Sequence, residues 1–254
     1  GQLRRIRGVG VSAAPSGSPS AALRGGESDE GSRAEALPIA GMSRLSSVDW
    51  PGLLVTTLFV QGCPWQCGYC HNRELIDLGT PGSVSWSVVR RHLEQRRGLL
   101  DGVVFSGGEP TQAPDLPAAA AEVQELGFRI GLHTSGAYPQ RLHDLLPRLS
   151  WVGLDIKGLP QEYLAITGRP RAADRAYDSL EQVLASGVDY EVRVTVDSVH
   201  HSESGLAALI ATLQQRGVVN LVLQPVRIGQ SASTAAADAL LDRLRLPPDV
   251  VRRR

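Results

Sequence analysis

The chain has 254 residues, 42% of them hydrophobic, enough for one large domain with a real core. Lysine plus arginine and aspartate plus glutamate number 26 each, and this zero formal charge argues against a nucleic-acid binder, which needs a basic surface. No apolar run reaches the roughly 18 residues of a membrane span, and residues 1–41 show no apolar core flanked by a basic start, as a secretory signal would.

Val11 to Arg33 is mostly serine, alanine, glycine, proline and charge. Such a stretch buries too little to offset its ordering entropy. Residues 1–41 are therefore expected to be a disordered extension and residues 42–254 the folded domain. Met42, the only methionine, is a candidate start. From Leu53 onward, short apolar runs alternate with amphipathic stretches. The strand candidates are Leu53–Val60, Gly102–Phe105, Arg129–His133, Trp151–Ile156, Tyr190–Val196 and Asn220–Gln224. They are almost wholly apolar, as strands covered on both faces would be. Between them lie the helical stretches Ser85–Arg97, Leu116–Leu126, Pro139–Leu149, Ala173–Ser186 and Glu203–Arg216. Gly98, Gly127, Gly187 and Gly217 follow the last periodic residues of four of them and mark their ends. Strands alternating with helices make a parallel sheet. Six such units predict an α/β fold, an open, partial (βα)6 barrel of TIM-like type.

In such folds chemistry gathers at the C-terminal ends of the strands. The unusual residues fall there. Cys63-Pro-Trp-Gln-Cys67-Gly-Tyr-Cys70 follows the first strand. Ser106-Gly107-Gly108-Glu109-Pro110 follows the second, and His133-Thr134-Ser135-Gly136 ends the third. Asp155-Ile156-Lys157 ends the fourth, Arg193 and Thr195 lie on the fifth, and Gln224-Pro225 ends the sixth.

Cys63, Cys67 and Cys70 are the only cysteines, and an odd number with no further candidate rules out a disulfide framework. Their use fits a reducing cytoplasm. A zinc site of three cysteines and His71 is one reading, although zinc usually draws its ligands from two separated pairs. An iron–sulfur cluster is the other, because thiolates are its usual ligands. Three cysteines on a four-iron cluster leave one iron without a protein ligand, free to bind a substrate. Gly107 and Gly108 give a tight turn, and Glu109 adds a carboxylate suited to an ammonium group. Lys157 suits a carboxylate. Asp155, flanked by Leu154 and Ile156, needs partners if buried and suits hydroxyls. Arg193, between Val192 and Val194, needs an anion or a buried carboxylate. Tyr69 suits stacking on an aromatic ligand, Trp65 suits a cover over the cluster, and His71 and Asn72 suit hydrogen bonds that support the cysteine loop. His133 either contacts ligand or caps its strand.

The C-x3-C-x2-C spacing with an aromatic before the last cysteine, followed one strand later by Gly-Gly-Glu-Pro, resembles the radical S-adenosylmethionine superfamily. Cys67-Gly-Tyr-Cys-His-Asn72 is similar to activating enzymes of glycyl radical enzymes, including pyruvate formate-lyase activase. Ser47-Val-Asp-Trp-Pro-Gly52, the run from Arg96 to Pro110 and Tyr163-Leu-Ala-Ile-Thr-Gly168 resemble anaerobic ribonucleoside-triphosphate reductase activating proteins. The resemblance implies one [4Fe–4S] cluster held by Cys63, Cys67 and Cys70. It implies reductive cleavage of S-adenosylmethionine to methionine and a 5′-deoxyadenosyl radical, which takes hydrogen from a glycine of a partner enzyme. It places Gly107, Gly108 and Glu109 at the methionyl amino group, and Asp155 and Lys157 among the cofactor contacts. Ser135 stands where the family commonly has asparagine, and His133 where an aspartate can occur. Implied partners are a glycyl radical enzyme, foremost the reductase, and a low-potential electron donor such as flavodoxin or ferredoxin. The same fold and cluster also suit a radical enzyme acting on a small molecule, as in deazapurine or other cofactor synthesis. A non-catalytic metal-binding module is the third reading, disfavoured by the intact motifs on the second and fourth strands.

Overall fold

The computed structural model describes residues 33–227, 232–247 and 250–252. All six expected strands form, within one eight-stranded sheet whose order is linear. β1 is Ile39–Ser46, β2 Val55–Val60, β3 Gly102–Gly107, β4 Arg129–Thr134, β5 Trp151–Asp155, β6 Asp189–Val196, β7 Leu221–Pro225 and β8 Val250–Arg252. β1 runs antiparallel to β2, and every later pairing is parallel. The barrel is therefore open, and it has one more strand at each edge than the sequence pattern shows. The expected boundary at residue 42 falls inside β1. Ala34, Leu37 and Ile39 are buried in the main core, so residues 33–41 belong to the fold rather than to an extension. The remainder of the expected extension, residues 1–32, lies outside the described residues.

Among the described residues, seven α-helices lie between or after the strands from β2 onward: α1 (Trp86–Glu94), α2 (Leu116–Glu125), α3 (Pro139–Leu145), α4 (Tyr163–Thr167), α5 (Ala172–Ser186), α6 (Glu203–Gln215) and α7 (Ala232–Arg243). α5 shows why they form: Ala176, Tyr177, Leu180 and Val183 recur at helical spacing and are buried on one face. Gly98, Gly127, Gly187 and Gly217 adopt positive φ, the left-handed geometry expected of helix ends.

Side-chain alternation divides each strand between two environments. Val103, Phe105, Ile130, Leu132, Val152, Leu154, Val192, Val194, Leu221 and Leu223 face the helices in the main core. Their neighbours face the barrel interior. At the base of that interior sits a separate cluster of Trp50, Val55, Val104 and Trp151. Trp50 arrives from the β1–β2 hairpin, which doubles back into the barrel and stacks its indole on Trp151, with centroids 5.7 Å apart and planes 20° from parallel. Glycines on neighbouring strands make this possible. A Cβ on Gly131 would stand 2.8 Å from the Trp50 ring, and one on Gly153 2.8 Å from the Trp151 ring. The stacked pair is the floor above which the functional cavity opens.

Candidate active site

Above the floor is a cavity of about 450 Å³ at the C-terminal ends of β2 to β7. Cys63, Cys67, Cys70, Tyr69, Gly107, Gly108, His133, Ser135, Asp155, Lys157 and Arg193 all line it. Of the site residues expected from the sequence, Glu109 alone is absent from the wall. Asp49, Ser106 and Thr134 join it.

The cysteine loop is held by backbone bonds from beneath. Gln66 N donates to Thr167 O at 2.9 Å and Gly68 N to Ile166 O at 3.2 Å. Those acceptors end α4, so the Tyr163–Gly168 motif is the loop's cradle. Arg169 Nε donates to Pro64 O at 2.8 Å, Arg73 Nη2 to Gly68 O at 2.5 Å, and the Trp65 ring meets Tyr163 edge-on at 6.0 Å. His71 Nδ1 donates to Arg227 O at 2.6 Å, tying the loop to the end of β7. The three thiols are half-buried and unpaired. Burial pushes Cys63 up to about 12 and also raises Cys67. Thiols so placed ionise only beside a compensating cation, which a metal centre supplies.

The glycine turn packs against this loop. Gly107 has φ +118°, and a Cβ there would stand 2.4 Å from Val60 N; a Cβ on Gly108 would stand 2.3 Å from Gly62 O. Gly108 N donates to Val60 O at 2.9 Å and Glu109 N to Gly62 O at 2.8 Å. Only glycine allows the two motifs to approach so closely. Glu109, expected to meet an ammonium group, is fully buried behind the turn. Five protein donors already surround its carboxylate: Thr111 N, Thr111 Oγ1 and Thr134 Oγ1 on Oε1, Ser135 N and Ser135 Oγ on Oε2. It is a staple joining the ends of β3 and β4, and it consumes the hydroxyl of Ser135.

The opposite wall is ionic. Lys157 Nζ lies 3.2 Å from Asp155 Oδ2, and Arg193 Nε 2.9 Å from Asp155 Oδ1. Burial alone would raise the Asp155 pKa, but Lys157 and Arg193 outweigh it and hold the carboxyl at about 2. Burial likewise opposes the charge on Lys157, and Asp155 keeps that amine above its ordinary value. The partner expected for Arg193 is thus Asp155. Lys157 keeps donors to spare, since an ammonium has three. Beside it the Tyr69 hydroxyl is buried with no partner among the described residues.

His133 is neutral. Its Nε2 donates to Asp49 O at 2.7 Å, so its Nδ1 accepts from Ser106 Oγ at 3.1 Å. Burial, aided by the Arg193 guanidinium, pushes the ring down to about 3. Asp49 in turn accepts from Thr57 Oγ1 at 2.6 Å.

This donor set fits an iron–sulfur cluster carrying an amino-acid ligand. Three thiols share one wall, glycines clear a path beside them, and an unpartnered phenol and a buried ammonium face the same space. No three His, Cys, Asp or Glu side chains among the described residues gather tightly enough for a single metal ion.

Fold and site together define a class: an open parallel barrel with three loop cysteines at its rim. The sequence model of the Radical SAM superfamily matches residues 57–203, and the chain belongs to that superfamily. Its cofactors are accordingly S-adenosylmethionine and a [4Fe–4S] cluster. The chain is 27% identical over 135 residues to a Methanocaldococcus jannaschii protein named provisionally as a glycyl-radical enzyme activating enzyme, covering 47% of this chain and 50% of that one. It is 28% identical over 196 residues to the pyruvate formate-lyase-activating enzyme of Clostridium pasteurianum, covering 74% and 81%. The chain thus spans about half the length of the first relative and most of the second. The crystal structure of Streptococcus suis SuiB bound to S-adenosylmethionine superposes with a TM-score of 0.56 at 15% identity, over 72% of this chain and 44% of that one. At that identity the likeness speaks to the fold. No helix among the described residues is long and apolar enough to cross a membrane.

Proposed function

We propose that this chain is a glycyl radical enzyme activase working in the cytoplasm, and that its partner is anaerobic ribonucleoside-triphosphate reductase. The observation that carries the reading is that, among the described residues, the cavity has no roof. Among those residues, the loop from Gly158 to Arg171 and the segment from residue 232 onward are the stretches long enough to cover it. The first is spent as α4 beneath the cysteine loop. From the second, α7 buries Ala237, Leu240 and Leu241 in the main core. A reactive carbon radical needs closure against stray donors, and a protein substrate supplies that closure itself. The names of the two relatives support an activase. The Ser47–Gly52 motif supports the reductase over pyruvate formate-lyase.

When bound, the cluster and S-adenosylmethionine supply a carbon-centred radical by one-electron reductive cleavage, and glycine gives up a hydrogen atom to it. Cys63, Cys67 and Cys70 would hold the cluster. The Gly107–Gly108 turn leaves room for the methionyl amino group. Lys157 takes the carboxylate, and the Tyr69 hydroxyl adds a hydrogen bond. Asp155, kept ionised by Lys157 and Arg193, accepts from hydroxyls. His133 keeps its proton on Nε2 and stays out of acid–base chemistry near neutral pH. The reconstituted protein with S-adenosylmethionine, a reduced flavodoxin or ferredoxin and the reductase should yield a glycine-centred radical by paramagnetic resonance. Radical on pyruvate formate-lyase alone would replace the partner. Turnover of a small metabolite with no protein radical would refute the activase.

A further inference from the structure

Cys67 borders two spaces. It lines the cofactor cavity on the inside, and it also borders an open hollow on the outside of the barrel, with Gln66, Gly68, Arg73, Ile76 and Asp77. At this point the cysteine loop itself is the wall between cavity and exterior, and Gln66 and Gly68 are exposed on its outer side. Reductive cleavage consumes one electron, and the chain has no further cysteine to hold a second cluster. The electron therefore comes from another molecule. Electron transfer through protein slows steeply with distance, so the thin wall at Cys67 is the short route.

The charges held against this wall are positive. Residues 63–70 contain no acid and no lysine or arginine. Arg73 Nη2 donates to Gly68 O at 2.5 Å and Arg169 Nε to Pro64 O at 2.8 Å, so two exposed guanidiniums are fixed to carbonyls of the loop. A guanidinium has five N–H donors, so most of theirs remain available. The acid in the hollow, Asp77, is taken by its own turn and accepts from Gly79 N at 3.1 Å and Thr80 Oγ1 at 2.7 Å. Glu74 is exposed next to Arg73 in the chain, and its side chain makes no bond to the loop among the described residues. Ile76 gives the hollow an apolar patch. Fixed cations beside an apolar hollow suit a redox group that presents a flat apolar edge ringed by acids. A flavin has such an edge in its dimethylbenzene ring, whereas an iron–sulfur carrier presents a cysteine loop.

We propose that the outer face of the cysteine loop is the docking surface for an acidic flavodoxin. The reduced flavin gives up one electron and keeps its protons, the cluster gains that electron, and no bond is made or broken. The proposal rests on the reductive-cleavage part of the reading above and is indifferent to which protein accepts the radical.

The test uses the full chain with its cluster, and flavodoxin as the probe. Gln66 suits it because its side chain is exposed at the hollow and makes no bond among the described residues. Gln66→Glu and Gln66→Lys put opposite charges at one point. Arg73→Gln removes a fixed cation, and Arg73→Lys keeps the charge. Iron content is checked first. Flavodoxin Kd is then titrated at low and high salt, and S-adenosylmethionine cleavage is driven either by flavodoxin or by dithionite, which is too small to need docking. Gln66→Glu should weaken flavodoxin about threefold and Gln66→Lys should tighten it about threefold, the range of one exposed charge pair. Both shifts should shrink at about 0.5 M salt, where screening is strong. Arg73→Gln should weaken flavodoxin, and Arg73→Lys should match the wild type. Dithionite-driven cleavage should be unchanged in both Gln66 variants. Equal Kd in all variants, or shifts of one sign in the two Gln66 variants, overturns the surface. A loss of the same size with dithionite as with flavodoxin also overturns it, because the residues then serve the cluster alone. Ferredoxin following this pattern in place of flavodoxin overturns the occupant. No cleavage by the wild type with either reductant removes the cofactor chemistry, and the surface with it. Cleavage that follows the pattern while no protein acquires a radical supports the surface and removes only the activase.

Discussion

Replacing Glu109 by alanine separates two roles that the Gly-Gly-Glu-Pro motif could serve. If the carboxylate held a ligand's ammonium group, its loss would weaken S-adenosylmethionine binding about ten- to a hundredfold and leave the free protein's stability unchanged. The structure predicts the reverse emphasis. The carboxylate is fully buried and accepts from five protein groups. The three hydroxyls can turn toward other acceptors or water, but Thr111 N and Ser135 N are fixed by the backbone. Each stranded N–H costs about 1–3 kcal/mol. Adding the void left by the side chain gives a loss of about 3–5 kcal/mol, a large share of a domain's usual 5–15. For a chain of this size that corresponds to a melting point lower by roughly 10 °C. Glu109→Gln should fare little better, because its amide must turn an N–H toward groups that are themselves donors. The assay is anaerobic denaturant and thermal unfolding of the cluster-free protein, followed by cofactor titration of the reconstituted form. Wild-type stability in the alanine variant, with affinity alone reduced, would refute the staple.

Three further outcomes follow from the same geometry. Alanine at Cys63, Cys67 or Cys70 should abolish cluster assembly, against about four irons per chain in the reconstituted wild type; iron analysis and absorption spectra check this. The His133 ring, held near 3 against an ordinary 6.5, stays unprotonated in the fold at pH values where the unfolded chain takes up a proton. Its contribution is complete above about pH 6.5 and declines as pH falls toward 3, costing about 2–3 kcal/mol after allowing for solvent reaching the ring from the cavity. Unfolding midpoints measured between pH 7 and 4 should show this decline, and His133→Gln should flatten it. Trp50→Ala should cost about 3–5 kcal/mol by emptying the barrel floor, read as a lower unfolding midpoint.

The strands from Leu53 onward were legible because each is short, apolar on both faces and punctuated by glycine. The site residues were legible because polar residues interrupt those runs at their C-terminal ends. β1 was not: Gly41, Ser43 and Arg44 dilute its pattern, and its edge position leaves most of it half-exposed or exposed. β8 has three residues, too few for any periodicity to register. The burial of Glu109 depends on Thr134 and Ser135, some 25 residues away, and no local pattern encodes that meeting. Nor does local pattern reveal that the Ser47–Gly52 motif folds back inside the barrel. Trp50 there finds Trp151 a hundred residues on, and only the glycines opposite, Gly131 and Gly153, hinted that something bulky needed the space.

The central claim is that a hydrogen atom passes from a glycine of a partner protein to the deoxyadenosyl group within this cavity. The most direct measurement uses anaerobic ribonucleoside-triphosphate reductase labelled with deuterium at glycine Cα. It is incubated with the reconstituted protein, unlabelled S-adenosylmethionine and a low-potential donor. The account predicts 5′-deoxyadenosine one mass unit heavier, formed in step with the glycyl radical. Unlabelled 5′-deoxyadenosine, formed at the same rate whether or not the reductase is present, would contradict it.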